Sequence, residues 1–177
     1  SITQTQNVII EDNSAPVPNV TNLETVSSQC SVTITDVPTA TDNCMGTITA
    51  TTTDPLEYTE QGNYTITWEY TDENGNIASQ EQSVVVNDNT PPTITCVNDQ
   101  TIELPTGKSV YTVEGTPLDP VSTTDNCMIE DVYNDFNNQL SLHGAEFEEG
   151  TTTVTWTAVD VNGNTSECSF DVTVTLS

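Results

Sequence analysis

The chain has 177 residues, with one Lys or Arg against 27 Asp and Glu, for a formal net charge of −26 at pH 7. Such a surface repels phosphate backbones and anionic headgroups, which excludes nucleic acid and direct membrane insertion as partners, and it attracts cations. No stretch approaches the roughly 18 consecutive apolar residues of a spanning helix, and no basic-then-apolar leader opens the sequence.

In chain order, residues 1–12 read as the last strand of a preceding repeat. "SITQTQNVIIEDNSAP" parallels "IASQEQSVVVNDNTPP" at an offset of 76 residues. A period of this size divides the chain into a first unit, residues 13–90, and a second, residues 91–177. A domain so small buries only about 60% of its unfolded surface, so cysteines or metal are expected to help hold it. Each unit opens on a proline-bearing linker, "EDNSAP" and "NDNTPP", because proline lacks the N–H a continuing sheet needs.

After the first linker come a strand with Pro18 and Val20, a second beginning at Cys30, and a loop ending Thr-Asp-Asn-Cys at Thr41–Cys44. Ile66, Trp68 and Tyr70 then alternate with polar residues, the period of a half-buried strand, and Trp68 has core parity. Asp-Glu-Asn-Gly-Asn at Asp72–Asn76 turns this strand into the next, which carries Val84 and Val86. Asn-Gly between two such runs is a strong hairpin signal.

The second unit repeats the order: Ile94 and Cys96, a strand from Ser109, Thr-Asp-Asn-Cys at Thr124–Cys127, alternating Val154, Trp156 and Ala158, the turn Asp160–Asn164, and Phe170, Val172 and Val174. Its spacing from Cys127 to Trp156 exceeds that from Cys44 to Trp68 by five residues, which places an insertion in Asn134–Gly150. About seven short strands per unit, with no helical period, predict an all-β fold of tandem immunoglobulin-like β-sandwich repeats.

Five cysteines cannot all pair within one chain. Cys96 shares the parity of Ile94, and Cys168 that of Phe170, so a Cys96–Cys168 disulfide is expected between the first and last strands of the second unit. The equivalent positions in the first unit are Val20 and Gln80, so that clasp is absent there. Cys30 and Cys44, alone in their unit, are expected to pair. Cys127 is left over, as a buried thiol or an intermolecular bridge. Disulfides imply an extracellular, oxidising location.

Sandwich topology puts the loops after the second and sixth strands beside the incoming linker. Asp42, Asp72 and Asn74 would thereby meet Asp12 and Asn13, and Asp125, Asp160 and Asn162 would meet Asp88 and Asn89. Clustered oxygens of this kind suit Ca²⁺, which takes six to eight oxygen ligands. The same residues also read as plain hairpin and Asx turns, and both readings stand at this stage. No catalytic residue is assigned. Glu146, Glu148 and Glu149 around Phe147 read as a solvated face, His143 as an exposed loop residue, and Lys108 as a lone surface charge.

The blocks "PPTITC…TTDNC…GTTTVTWTAVDVNGNTSECSFDVTV" resemble the hyalin repeat (HYR) module. The first unit, with "PTATDNC…DPLEYTEQGNYTITWEYTDENGN", is similar to relatives in long repetitive surface adhesins of gliding Bacteroidota, of the SprB type. The linker "VNDNTPP" also resembles the calcium-binding joint of cadherins. The resemblance implies a non-enzymatic extracellular spacer or adhesive filament at the cell surface, used in gliding motility or attachment and exported by type 9 secretion. Its partners would be neighbouring repeats of the same chain and a surface or polysaccharide ligand. The alternative is a carbohydrate-binding module of a secreted multidomain enzyme, which exposed aromatics would favour.

Overall fold

The computed structural model describes residues 2–177 and, among them, no helix. The chain is all-β, and it divides into two compact units, the first ending at Asn87 and the second beginning at Asp88.

The first unit contains β1 (Val17–Pro18), β2 (Val26–Ser28), β3 (Val32–Thr33), β4 (Thr39–Asp42), β5 (Gly46–Thr49), β6 (Glu57–Tyr58), β7 (Gly62–Thr71) and β8 (Ile77–Val86). One sheet has the order β1-β4-β5, another β2-β8-β7, and β3 pairs with β6 in a short ladder. The second unit contains β9 (Thr93–Thr95), β10 (Gln100–Leu104), β11 (Val110–Thr112), β12 (Ser122–Thr124), β13 (Ile129–Asn134), β14 (Glu146–Glu148), β15 (Gly150–Asp160) and β16 (Thr165–Leu176). Its main sheet runs β10-β16-β15-β13, with β9 paired to β12 and β11 to β14. Eight strand segments per unit exceed the expected seven, because the opening stretch of each sandwich is broken in two. Its first piece pairs antiparallel with β4 or β12, and its second runs parallel to the last strand, β8 or β16.

The long hairpins β7–β8 and β15–β16 carry the core. Alternation points Ile66, Trp68 and Tyr70 inward in one unit, and Val154, Trp156 and Ala158 in the other, all at most 1% exposed. Burying such side chains is the main favourable term of folding, worth about 1.5–3 kcal/mol each. The indole N–H groups are not left unpaired. Trp68 Nε1 donates to Gln82 Oε1 at 3.0 Å, and Trp156 Nε1 to the Leu118 carbonyl at 3.2 Å.

Each hairpin closes through its Asp-X-Asn-Gly-Asn turn, which contains a glycine in the left-handed region, Gly75 at φ +85° and Gly163 at φ +83°. The residues expected to hold the insertion are well anchored. Asn134, fully buried, accepts from the amides of Phe136 and Asn137 and donates to the Gln139 carbonyl, and Phe136 stacks on Phe147 at 4.5 Å.

The final-strand reading of residues 1–12 is not realised among the described ones. Residues 2–16 form no strand, and Val8, Ile9 and Ile10 are 77–90% exposed. Ser1 lies outside the described residues.

Candidate cation sites

Strand parity builds the first site. β4 ends on Asp42, two residues after the buried Ala40, so its carboxylate is carried to the inner face and is only 4% exposed. Asp42 Oδ1 accepts from the amides of Cys44 and Met45 at 2.8 and 2.9 Å, which folds Thr-Asp-Asn-Cys into an Asx turn. Oδ2 of the same carboxylate is buried with no hydrogen-bond partner. The turn brings Cys44 Sγ, one oxygen of Asp42 and one of Asp12 within 4.8 Å of one another.

The hairpin turn holds the incoming segment that carries Asp12. Asp72 Oδ1 accepts from the amides of Asn74 and Asn76 at 2.9 and 2.8 Å, and Oδ2 from Asn76 Nδ2 at 2.7 Å. The same Asn76 amide donates to the Asp12 carbonyl at 3.1 Å, which ties the incoming segment to the turn. Burial pushes the Asp72 carboxyl up, but the hydrogen bonds from Asn76, Asn74 and Gly75 outweigh it and hold the group below the usual carboxylate range.

The second unit repeats the design. Asp125 Oδ1 accepts from the amides of Cys127 and Met128, and its Oδ2 is buried without a hydrogen-bond partner. Asp88, Asp125 and Cys127 converge within the same 4.8 Å limit. Asp160 is engaged by Asn162 and Asn164 as Asp72 is by Asn74 and Asn76, and it too is raised by burial and lowered further by those hydrogen bonds. Asn162 and Asn164 both donate to the Asp88 carbonyl, at 2.9 and 3.2 Å.

The geometry therefore divides the expected ligands into two classes. Asp12 with Asp42, and Asp88 with Asp125, present converging carboxylates. Asp72 and Asp160 accept hydrogen bonds on both oxygens from within their own turns. Asn13, Asn74 and Asn89 are exposed, and Asn74 and Asn162 contribute main-chain amides to those turns. Sequence reasoning missed Asn76 and Asn164, whose signal was the second Asn in both Asp-X-Asn-Gly-Asn copies.

It also misplaced Cys44. Cys44 is an exposed free thiol, so the expected Cys30–Cys44 disulfide is absent; its side chain is directed to Asp12. That hydrogen bond first, then desolvation and the charges of Asp12, Asp42 and Asp72, hold the thiol above its ordinary range. Neither Cys30 nor Cys127 is a free thiol, which removes the leftover-thiol reading of Cys127. Cys96 and Cys168 are bonded, with Cα atoms 5.7 Å apart. At the matching place in the first unit, Gln80 Nε2 donates to the carbonyls of Val20 and Thr21 at 2.8 and 3.0 Å, a hydrogen-bonded clasp where the second unit has a covalent one.

The donor set fits a cation. Each pocket pairs two carboxylates with a buried oxygen lacking a hydrogen-bond partner, in a chain whose one basic residue is the exposed Lys108. A buried oxygen of this kind costs about 1–3 kcal/mol or more when charged, a penalty a bound cation removes. Both tryptophans are buried and offer no stacking face. Glu146, Glu148 and Glu149 are exposed around the buried Phe147, and His143 is exposed with Nδ1 accepting from the Gly115 amide.

Residues 87–174 match the HYR domain, so this stretch is an HYR-like repeat. Over 118 residues, 63% of the chain, the sequence is 36% identical to Hyalin of Strongylocentrotus purpuratus, of which the match spans 9%. Among solved structures, the fibronectin(III)-like modules of Clostridium thermocellum CbhA are similar at 14% identity, with 91% of this chain and 94% of that one covered and a TM-score of 0.38. The human Desmocollin-1 ectodomain is similar at 12% identity, with 93% and 38% covered and a TM-score of 0.34.

Proposed function

We propose that the chain is a non-enzymatic stretch of a long extracellular adhesive fibre in which each unit binds Ca²⁺ where the incoming segment meets the sandwich. Asp12 and Asp42 hold the ion in the first unit, and Asp88 and Asp125 in the second. The observation carrying this reading is the carboxylate pair built twice, each with a buried oxygen that no hydrogen bond satisfies. Calcium supplies the missing charge and fixes the incoming segment to the unit's end. A surface carrying −26 charges keeps neighbouring fibres apart.

The HYR match and the likeness to Hyalin support an extracellular, adhesion-type repeat. Attachment or gliding at a bacterial surface, with export by type 9 secretion, extends this reading on the strength of the sequence motifs. The test is thermal unfolding with Ca²⁺ against EGTA. An ion at a hundred times its Kd stabilises by about 2.7 kcal/mol, or roughly 10–20 °C in Tm for a unit of this size. Asp42→Asn and Asp125→Asn should each remove the shift from their own unit. An unchanged midpoint in millimolar Ca²⁺ would end the calcium reading. Antibodies to the chain should decorate intact producing cells; labelling only after permeabilisation would end the surface reading.

A further inference from the structure

We infer that the two acidic pockets differ in metal preference, and that the first is a site for a thiophilic divalent cation such as Zn²⁺, held by Asp12, Asp42 and the thiolate of Cys44. This shares with the calcium reading the premise that the pocket takes a cation, and goes beyond it in the metal and in the sulfur ligand.

Three observations carry it. Cys44 Sγ lies within 4.8 Å of an oxygen of Asp12 and one of Asp42. Asp42 is 4% exposed, and Oδ1 is committed to the Cys44 and Met45 amides, which leaves Oδ2, buried and without a hydrogen-bond partner, as the available oxygen. Cys44 is a free thiol at the surface of the cluster, reachable from solvent, while its counterpart Cys127 is not a free thiol. The first pocket therefore offers two oxygens and one sulfur, and the second offers its carboxylates alone.

Borderline metals favour such a mixed set. Zn²⁺ is bound by thiolate and carboxylate in four-coordinate sites, often by three protein ligands with the fourth position left to water. Calcium is a hard cation that takes oxygen. On binding, the metal–sulfur bond forms as the S–H proton leaves to solvent, with no change in oxidation state. The Asx turn that orients Cys44 is made by Asp42 itself, so one residue both binds the metal and positions its sulfur partner.

The experiment uses the full chain and Cd²⁺, which reports sulfur ligation through an ultraviolet charge-transfer band. One equivalent of Cd²⁺ should produce the band, and Zn²⁺ should compete it away. Cys44→Ser should abolish it, and Asp42→Asn and Asp12→Asn should each weaken Cd²⁺ affinity by at least about tenfold. Cys44 and Asp12 are not in the core, so their variants keep the test sound if Asp42→Asn impairs folding. No band, or a band whose strength ignores both aspartates, would overturn the inference. The calcium reading is scored separately by the Tm shift of Cys44→Ser in Ca²⁺. That shift persists if the oxygens alone hold calcium, and its absence beside a Cd²⁺ band in the wild type would sink calcium but not this site.

Discussion

The clasp between the opening stretch and the last strand is covalent in one unit and hydrogen-bonded in the other, which gives a sharp prediction. Cys96–Cys168 closes a loop with a sequence separation of 72 residues. In the chain-entropy account, a loop of that length stabilises by about 4 kcal/mol at 25 °C. A small domain has only about 5–15 kcal/mol in total, so losing the bridge should bring the second unit near its threshold. Cys96→Ala with Cys168→Ala should therefore lower its Tm by roughly 15–30 °C.

Gln80→Ala in the first unit removes the two bonds to Val20 and Thr21, and also the acceptor of the Tyr70 hydroxyl at 2.9 Å. Its cost should be about 2 kcal/mol, mostly from the buried phenol left unpaired. The assay is urea unfolding followed by tryptophan fluorescence. Each unit carries one of the chain's two tryptophans, so Trp68→Phe and Trp156→Phe backgrounds report on the units separately. A loss below about 1 kcal/mol on removing the disulfide would refute the loop-closure reasoning, as would an equal loss in the first unit.

Other outcomes follow from the same structure. Trp156→Ala should cost the second unit about 3–5 kcal/mol by calorimetry, because it opens a cavity and strands the Leu118 carbonyl. Gly75→Ala and Gly163→Ala should each cost about 1–2 kcal/mol by urea titration. An added Cβ meets nothing within 4 Å at either site, so the loss comes from the left-handed backbone alone. Asp72 and Asp160 titrate below ordinary carboxylates, so their contribution is complete above the unfolded value of about 3.9 and drains away as pH falls through their lowered values. The stability difference between wild type and Asp72→Asn should therefore be constant near neutrality and shrink in acid. A difference that grows on acidification would contradict the hydrogen-bond account.

Inward parity along the long strands and the two hairpin turns are local properties, and the sequence determined them. Period-two alternation placed both tryptophans inside, and Asp-X-Asn-Gly-Asn closed both hairpins, because side-chain direction along a strand and positive φ at glycine need no distant partner. Cys96 and Cys168 were legible for a related reason: Cys168 shares the parity of the inward Phe170 in β16, and Cys96, one residue past β9, continues the alternation that turns Ile94 inward. Only the tertiary structure decided the rest. Cys30 and Cys44 share a unit but are not bonded to each other, and the turn made by Asp42 brings Cys44 to Asp12. That same turn uses up one carboxylate oxygen and leaves the other buried without a partner. Whether an aspartate caps its own turn or faces a ligand depends on distances between residues thirty or more positions apart, and those are fixed only when the sheets pack.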